Sequence, residues 1–319
     1  METRELLQKI KTIPINTGSL AEQLLAGNFS SVFKGQGFEF DEVRHYQRGD
    51  DIRAIDWNAS ARFGTPFIKL YREERDLTIL ILLDTSASMH RNRHPSQPDA
   101  AAEQRLTPYE QGVLAAALIA FSAERKSQRV GALLFDRDVH RVFLPRKGRH
   151  HLMALVGGIL QHQENVSRNT GAQGSNMAAA LRGAERLLKR RSLIVLVSDF
   201  LSVHWEDELG RLCSKHDVIA VRVSDPADAD LPDWGLTVME DPETGLRITA
   251  PATFRSFREA WQEWHEQRFE LWAAACRRTG AAHLDLPVTA DAAAALYRFF
   301  AGSSRHGSTR CGSRYYGGN

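Results

Sequence analysis

Cysteine is scarce in this chain of 319 residues: there are three, Cys213, Cys276 and Cys311. An odd number set far apart excludes a disulfide framework and a zinc knuckle, so Cys213 and Cys276 read as buried structural thiols. No apolar run approaches the length of a bilayer span. The opening residues, Met1-Glu-Thr-Arg-Glu5, mix charges and lead into no apolar secretory core, which makes the cytoplasm the expected location. Charge of one sign is missing too. With 41 Lys+Arg against 39 Asp+Glu, no net field draws the chain to nucleic acid or to a membrane.

Catalytic motifs are equally sparse. Without G-x-x-x-x-G-K-[ST] the chain is not expected to hydrolyse nucleotide, and there is no H-E-x-x-H. Acyl transfer lacks its G-x-S-x-G elbow. Gly35-x-Gly37 is no dinucleotide fingerprint, because residue 40 is Phe and no strand-to-helix context surrounds it. His150, His151 and His162 fit a solvated helix face after Arg146-Lys-Gly-Arg149, a basic run too short to argue for nucleic-acid binding.

What remains is an ordinary globular composition, with texture that changes along the chain. Residues 1–76 hold two short amphipathic helices, Arg4–Lys11 and Ser19–Ala26, then an aromatic, Gly-rich and charged stretch. Residues 77–301 alternate apolar strands with helical patterns, which implies βαβ units and a parallel sheet. Strands are expected at Thr78–Leu83, Val130–Phe135, Arg141–Leu144, Leu193–Ser198, Val218–Val223 and His283–Leu286. The second and third are joined so tightly, by Asp136-Arg-Asp138, that only an antiparallel hairpin fits.

Helices should fill the crossovers. Thr107-Pro-Tyr-Glu110 is a capping box with Pro at the first helical position, opening a helix to about Lys126. Others are expected at His150–Gln161, Asn176–Arg190, Val203–Lys215 and Thr253–Arg278, with Thr289 capping a last one to Phe300. The Thr253–Arg278 helix carries Phe254, Phe257, Trp261, Trp264, Phe269 and Trp272 at helical spacing, which reads as core. His90–Leu106 is a polar loop, Pro232–Ala250 a hairpin turning at residues 240–245, and residues 302–319 a disordered tail.

The most informative junction is Asp84-Thr-Ser86-Ala-Ser88, directly after the apolar run Thr78–Leu83. A strand with no polar alternation is buried on both faces. One carboxylate and two hydroxyls then recur at every second position where it ends. Ligands of open α/β sheets bind beyond the carboxyl ends of the strands. Asp199 follows another apolar strand, and Ser175 precedes a helix. Asp84, Ser86, Ser88, Ser175 and Asp199 could together surround one octahedral ion, Mg²⁺ or Mn²⁺, some through water. Only two of the five are charged, so the ion would remain electrophilic and could accept an acidic side chain from a partner. Singly, each residue has a plain alternative: a cap for Asp84, Ser86 or Ser175, a strand end for Asp199.

Asp84-x-Ser86-x-Ser88, a hydroxyl before a helix and Asp199 after a strand resemble the metal-ion-dependent adhesion site of von Willebrand factor type A domains. The order of elements resembles that fold as well. The family usually has Thr where Ser175 stands. Upstream, Gly35-Gln-Gly-Phe-Glu-Phe40, Val43-Arg-His-Tyr46, Gly49-Asp-Asp-Ile-Arg53, Ile55-Asp-Trp-Asn-Ala-Ser-Ala-Arg62 and Tyr71-Arg-Glu-Glu-Arg-Asp76 resemble the hallmark block of the bacterial domain-of-unknown-function family fifty-eight. That resemblance implies an α/β fold, von Willebrand A-like and doubly wound, with a mostly parallel sheet flanked by helices and an N-terminal α+β extension.

The function it implies is a non-enzymatic, metal-dependent protein-binding module, an adaptor or co-chaperone of a MoxR-type AAA+ ATPase. Within the block Asp50, Asp51, Arg53, Asp56, Arg62, Glu73, Glu74 and Arg75 could form a bracing charge network. Tyr46, Trp57 and Arg62 are the candidate partner contacts, since aromatics and Arg dominate interface energetics. Two other readings remain open. One is a metal-dependent phosphotransfer enzyme using Asp84, although the general-acid position is then Ser86, a poor proton donor. The other is a structural scaffold with a vestigial metal site.

Overall fold

The computed structural model describes residues 37–47, 55–74, 77–90, 106–166, 174–231, 233, 235–241 and 243–304. The expected helices Arg4–Lys11 and Ser19–Ala26 lie outside these residues. So do most of the polar loop, the tail beyond residue 304, and Gly35, Asp50, Asp51, Arg53 and Arg75 of the upstream block. The chain divides into two compact units at Leu77/Thr78.

The first unit is an antiparallel strand pair, β1 (Gly37–His45) and β2 (Phe67–Glu74), whose register shifts between Phe40 and Glu42. A short helix, α1 (Trp57–Phe63), lies between them in sequence. Asp56 starts it by accepting from the Asn58 and Ala59 amides at 3.0 and 3.2 Å, an N-cap that satisfies two orphan donors. Gly64, at φ 69°, ends it in the left-handed conformation that glycine adopts without strain. The Ser60 hydroxyl then accepts from the Phe67 amide at 2.8 Å, and the Phe67 ring lies 4.3 Å from His45 and 5.3 Å from Phe63.

The second unit is a doubly wound α/β fold. Its strands are β3 (Thr78–Asp84), β4 (Arg129–Phe135), β5 (Val139–Arg146), β6 (Leu193–Ser198), β7 (Asp217–Ser224) and, after a hairpin of β8 (Leu236–Glu240) and β9 (Arg247–Pro251), β10 (Ala282–Pro287). The six-stranded sheet runs β10-β7-β6-β3-β4-β5. Only β5 is antiparallel, because the three-residue Asp136–Asp138 link cannot make a crossover. The helices are α2 (Pro108–Arg125), α3 (Arg149–Val166), α4 (Met177–Leu187), α5 (Glu206–Lys215), α6 (Arg255–Thr279) and α7 (Ala292–Ser304). None is long and apolar enough to cross a membrane.

Local chemistry sets the boundaries. The Thr107 capping box forms on both sides: Glu110 N–H donates to Thr107 Oγ1 at 3.2 Å and Thr107 N–H to Glu110 Oε2 at 2.8 Å. Helix α2 is buried nearly all round. It is tied down by buried Tyr109, whose hydroxyl donates to Ile159 O, and by Gln111, whose amide donates to Pro287 O and Ala290 O. Three boundary expectations are corrected. Helix α7 is capped by Asp291, which accepts from the Ala293 and Ala294 amides, and not by Thr289. Asn176, not Ser175, caps α4, accepting from Ala179 at 3.1 Å. Helix α5 begins at Glu206, because Trp205 is buried just ahead of it.

The aromatic run of α6 is core only in part. Trp272 is buried, with ring centroids 5.5 Å from Phe200 and His283 and 5.8 Å from Phe269. Toward the helix start, Phe254 and Trp264 are 62% and 43% exposed. A helix of 25 residues outreaches the sheet, and its fully buried residues lie in its last third. Cys276 is buried and Cys213 half-buried. Burial pushes their thiols up to about 12 and about 11.

A glycine marks the tightest strand approach. At Gly131 the β4–β5 register shifts, and a Cβ there would fall 2.6 Å from Phe143 O and 2.8 Å from Pro145 N. Backbone must move to admit it, so Gly131→Ala is expected to lose about 1–3 kcal/mol in urea unfolding. Gly210→Ala, inside α5 with 3.6 Å to the nearest side-chain atom, should instead gain about 0.5–1 kcal/mol. Equal effects of the two substitutions would contradict this packing account.

Candidate functional site

The chain passes from β3 through α2 to β4 and β5, then returns to β6 on the other side of β3. The carboxyl ends of β3 and β6 therefore flank a topological switch point, where open sheets form their crevice. Leu83 pairs with Val197, so Asp84 and Ser198 emerge side by side. Both strands are apolar throughout because both faces are covered, and this carries Asp84 fully out of water: its exposure is 0%.

Asp84 is met by donors from three segments. Its Oδ1 accepts from the Ser86 amide at 2.9 Å. Its Oδ2 accepts from Ser198 Oγ at 2.7 Å and from Ser175 Oγ at 3.1 Å. Thr85 turns the other way: its amide and hydroxyl both donate to Phe135 O, and its Oγ1 lies 2.9 Å from His140 Nε2. That leaves the alternate residues 84, 86 and 88 to the crevice. Ser86 and Ser88 hydroxyls are 3.0 Å apart. The Ser175 segment is anchored by the Asn176 amide, which donates to Asp136 O at 2.8 Å. Asp199, 5% exposed, accepts from the Leu201 amide at 3.1 Å.

The electrostatics are crowded. Burial, and then the Asp199 charge, push the Asp84 carboxyl up to about 7 against the lowering effect of its Ser198 and Ser86 bonds. The Arg268 guanidinium, from α6, lies near enough to feel Asp199, stacks 4.9 Å over Trp264, and reaches the Phe200 and Leu201 carbonyls at 3.4 Å. Among the described residues, no three His, Cys, Asp or Glu side chains form a metal-holding group. What the five expected residues bring to the crevice is two carboxylates and three neutral hydroxyls. That donor set fits a small hard cation, which would offset the negative charge gathered there.

The five expected crevice residues thus meet at one sheet edge: Asp84 bonds Ser86 and Ser175 directly, Ser86 bonds Ser88, and Asp199 is coupled to Asp84 by charge. The Asp84 and Asp199 turn contacts are also present. The upstream candidates belong to the other unit. Trp57 is 70% exposed at the start of α1, Arg62 is exposed in its last turn, and Tyr46 is half-buried, its amide donating to Pro66 O at 2.8 Å. Of the expected charge network, Asp56 serves as the α1 cap.

Three crevice residues were not foreseen. Ser198 could have been found as the hydroxyl paired in register with Asp84. Arg268 sits on a helix whose aromatics drew the attention. Glu243 comes from the β8–β9 turn, with Oε1 accepting from Ser88 Oγ at 2.9 Å and Oε2 from the Ser175 amide at 3.4 Å. Burial, followed by Asp199, raises its carboxyl, and the Ser88 bond opposes this.

Residues 42–270 match the family described as "Protein of unknown function DUF58". An uncharacterized protein of Mycobacterium tuberculosis is 30% identical over 243 residues, which is 76% of this chain and 72% of that one. Two solved structures are similar. The conserved hypothetical protein BatB from Bacteroides thetaiotaomicron is 14% identical, with TM-score 0.44, covering 72% of this chain and 100% of its own. An aerotolerance-related membrane protein from Bacteroides fragilis is 16% identical, with TM-score 0.45, covering 72% and 98%.

Asp84 gives a pH test. A carboxyl raised in the fold binds its proton more tightly there than in the unfolded chain. The stability this confers is complete below the ordinary value of 3.8 and is lost as pH rises to about 7. In EDTA, unfolding free energy should fall over that window more steeply for the wild type than for Asp84→Asn. Equal slopes would show that Asp84 does not carry the effect.

Proposed function

For a chain that belongs to the DUF58 family, we propose a non-enzymatic protein-binding module that recognises an acidic side chain through a divalent cation. The observation that supports it is the meeting of Asp84, Ser86, Ser88, Ser175 and Asp199, from three separate segments, at the switch point of the sheet. These residues would hold Mg²⁺, with Mn²⁺ as a substitute. Bound there, the ion would supply an electrophilic position for a carboxylate oxygen. The chain's own groups do the rest. Ser198 and the Ser86 amide orient Asp84, the β3 and β6 cores exclude water beneath it, and Asp199 adds the second negative charge. Two charges on a divalent ion leave it net neutral and still able to attract an acid.

The partner proposed is a MoxR-type AAA+ ATPase, an acidic client, or both, with this protein as adaptor or co-chaperone. Trp57, Arg62 and Tyr46 are proposed as a separate contact for the ATPase. Exposed Phe63, 67% accessible beside Arg62, enlarges that apolar surface. A phosphotransfer reading is weaker at this site, because Ser86, a poor proton donor, stands where a general acid would be needed.

Affinity capture from the source cell's lysate should retain such a partner in Mg²⁺ and release it in EDTA. Asp84→Ala and Asp199→Ala should lose at least about tenfold in partner affinity, the loss of one charge-assisted contact, while unfolding cooperatively. Identical partners with and without Mg²⁺ would sink the metal reading. Trp57→Ala should weaken ATPase association and leave the Mg²⁺ response intact. Unfolding of that variant would instead mark Trp57 as structural.

A further inference from the structure

Glu243 stands apart from the other crevice residues. It comes not from a strand end of the six-stranded sheet but from the tip of the β8–β9 hairpin, an excursion within the β7-to-β10 connection. That tip is shaped to aim it. Asp241 Oδ1 accepts from the Glu243 amide at 3.0 Å and Asp241 Oδ2 from Thr244 Oγ1 at 2.6 Å. The Gly245 amide closes the turn on Asp241 O at 2.8 Å, with Gly245 at φ 70°. The carboxylate so presented spans two walls of the crevice, taking the Ser88 hydroxyl with one oxygen and the Ser175 amide with the other.

A carboxylate arriving from a partner would need the same things: a hydroxyl or amide donor on each oxygen, and a position beside Asp84 and Asp199 where a cation offsets the negative charge. Ser88 and Ser175 are two of the proposed ion-holding residues, and both are already engaged by Glu243. Without a cation the arrangement is electrostatically awkward, since Glu243 sits in the field of Asp199 and is itself partly withdrawn from water. Hydroxyl and amide donors hold it there nonetheless.

We infer that Glu243 is a built-in occupant of the position that a partner's acidic side chain takes, so that the hairpin must release Glu243 before the partner binds. This rests on the metal-dependent binding reading above. It also sets specificity. An incoming acid must outbind a tethered one, so a single weakly placed carboxylate fails and a cluster of acidic residues succeeds. If the latched state holds about 90% of the molecules, the apparent affinity of a competing acid falls about tenfold.

The test uses the full chain and two probes. Mn²⁺ binding, read by the electron paramagnetic resonance of the free ion, reports the metal site. A fluorescein-labelled decaglutamate peptide, read by anisotropy at a Mn²⁺ concentration that saturates each protein, reports the acid position. Glu243→Gln and Glu243→Ala should bind the peptide about tenfold more tightly than the wild type, and Asp84→Ala combined with Glu243→Ala should not bind it. Peptide affinity equal to or below that of the wild type in both Glu243 variants, with Mn²⁺ still bound, overturns the role of Glu243 and leaves the metal reading standing. Failure of the wild type to bind Mn²⁺ overturns the metal reading, and this inference with it.

Discussion

A carboxylate withdrawn completely from water has to be met by hydrogen-bond donors, by a cation or by a proton. At Asp84 that requirement organises everything around it. The strand that carries it is apolar because helices cover both of its faces. That same cover denies the carboxylate solvent, so Ser86, Ser175 and Ser198 have to arrive from three segments to satisfy it. Asp199 then adds a second negative charge in the same low-dielectric space, which the donors alone do not offset. Burial and that neighbouring charge together raise the Asp84 carboxyl.

Much of this was legible in the sequence, for a physical reason. Strands buried on both faces read as unbroken apolar runs, and β3 and β6 are the plainest in the chain. The residues just past such runs must lie at the sheet edge, so Asp84 and Asp199 were found together. The β4–β5 hairpin followed from the length of its link, and α2 from its capping box. What escaped notice depended on distance or on competition between neighbours. Asp291 and Asn176 each took a cap from a hydroxyl residue one or two positions before it, because carboxylate and amide oxygens reach the free amides as readily as a hydroxyl does. The aromatics of α6 follow a core-like period along the whole helix, but the period cannot say where the sheet beneath it stops. Glu243 had no local signal at all, since a Glu in a polar turn looks like any solvated turn residue until the fold brings Ser88 to it.

The two units express different constraints. The six-stranded sheet is set by burial, and its chemistry gathers at one edge. The β1–β2 unit is set by local devices: the Asp56 cap, Gly64 at the helix end, and the Ser60 bond to the Phe67 amide. It displays Trp57 and Phe63 to solvent. A chain with both features has two chemically distinct surfaces to offer, one acidic and oxygen-lined, the other aromatic.

The bonds that complete the crevice join residues far apart along the chain: Ser175 to Asp84 across 91 positions, Ser198 to Asp84 across 114, and Glu243 to Ser88 across 155. The hairpin that presents Glu243 is closed within Leu236–Pro251. Local closures form early, while contacts separated by long stretches of chain carry the largest loop entropy and wait for the rest of the topology. The crevice therefore comes into being only when parallel strands from both sides of β3 have docked. A half-made chain emerging from the ribosome, still lacking β6, would carry Asp84 without its Ser198 and Asp199 neighbours.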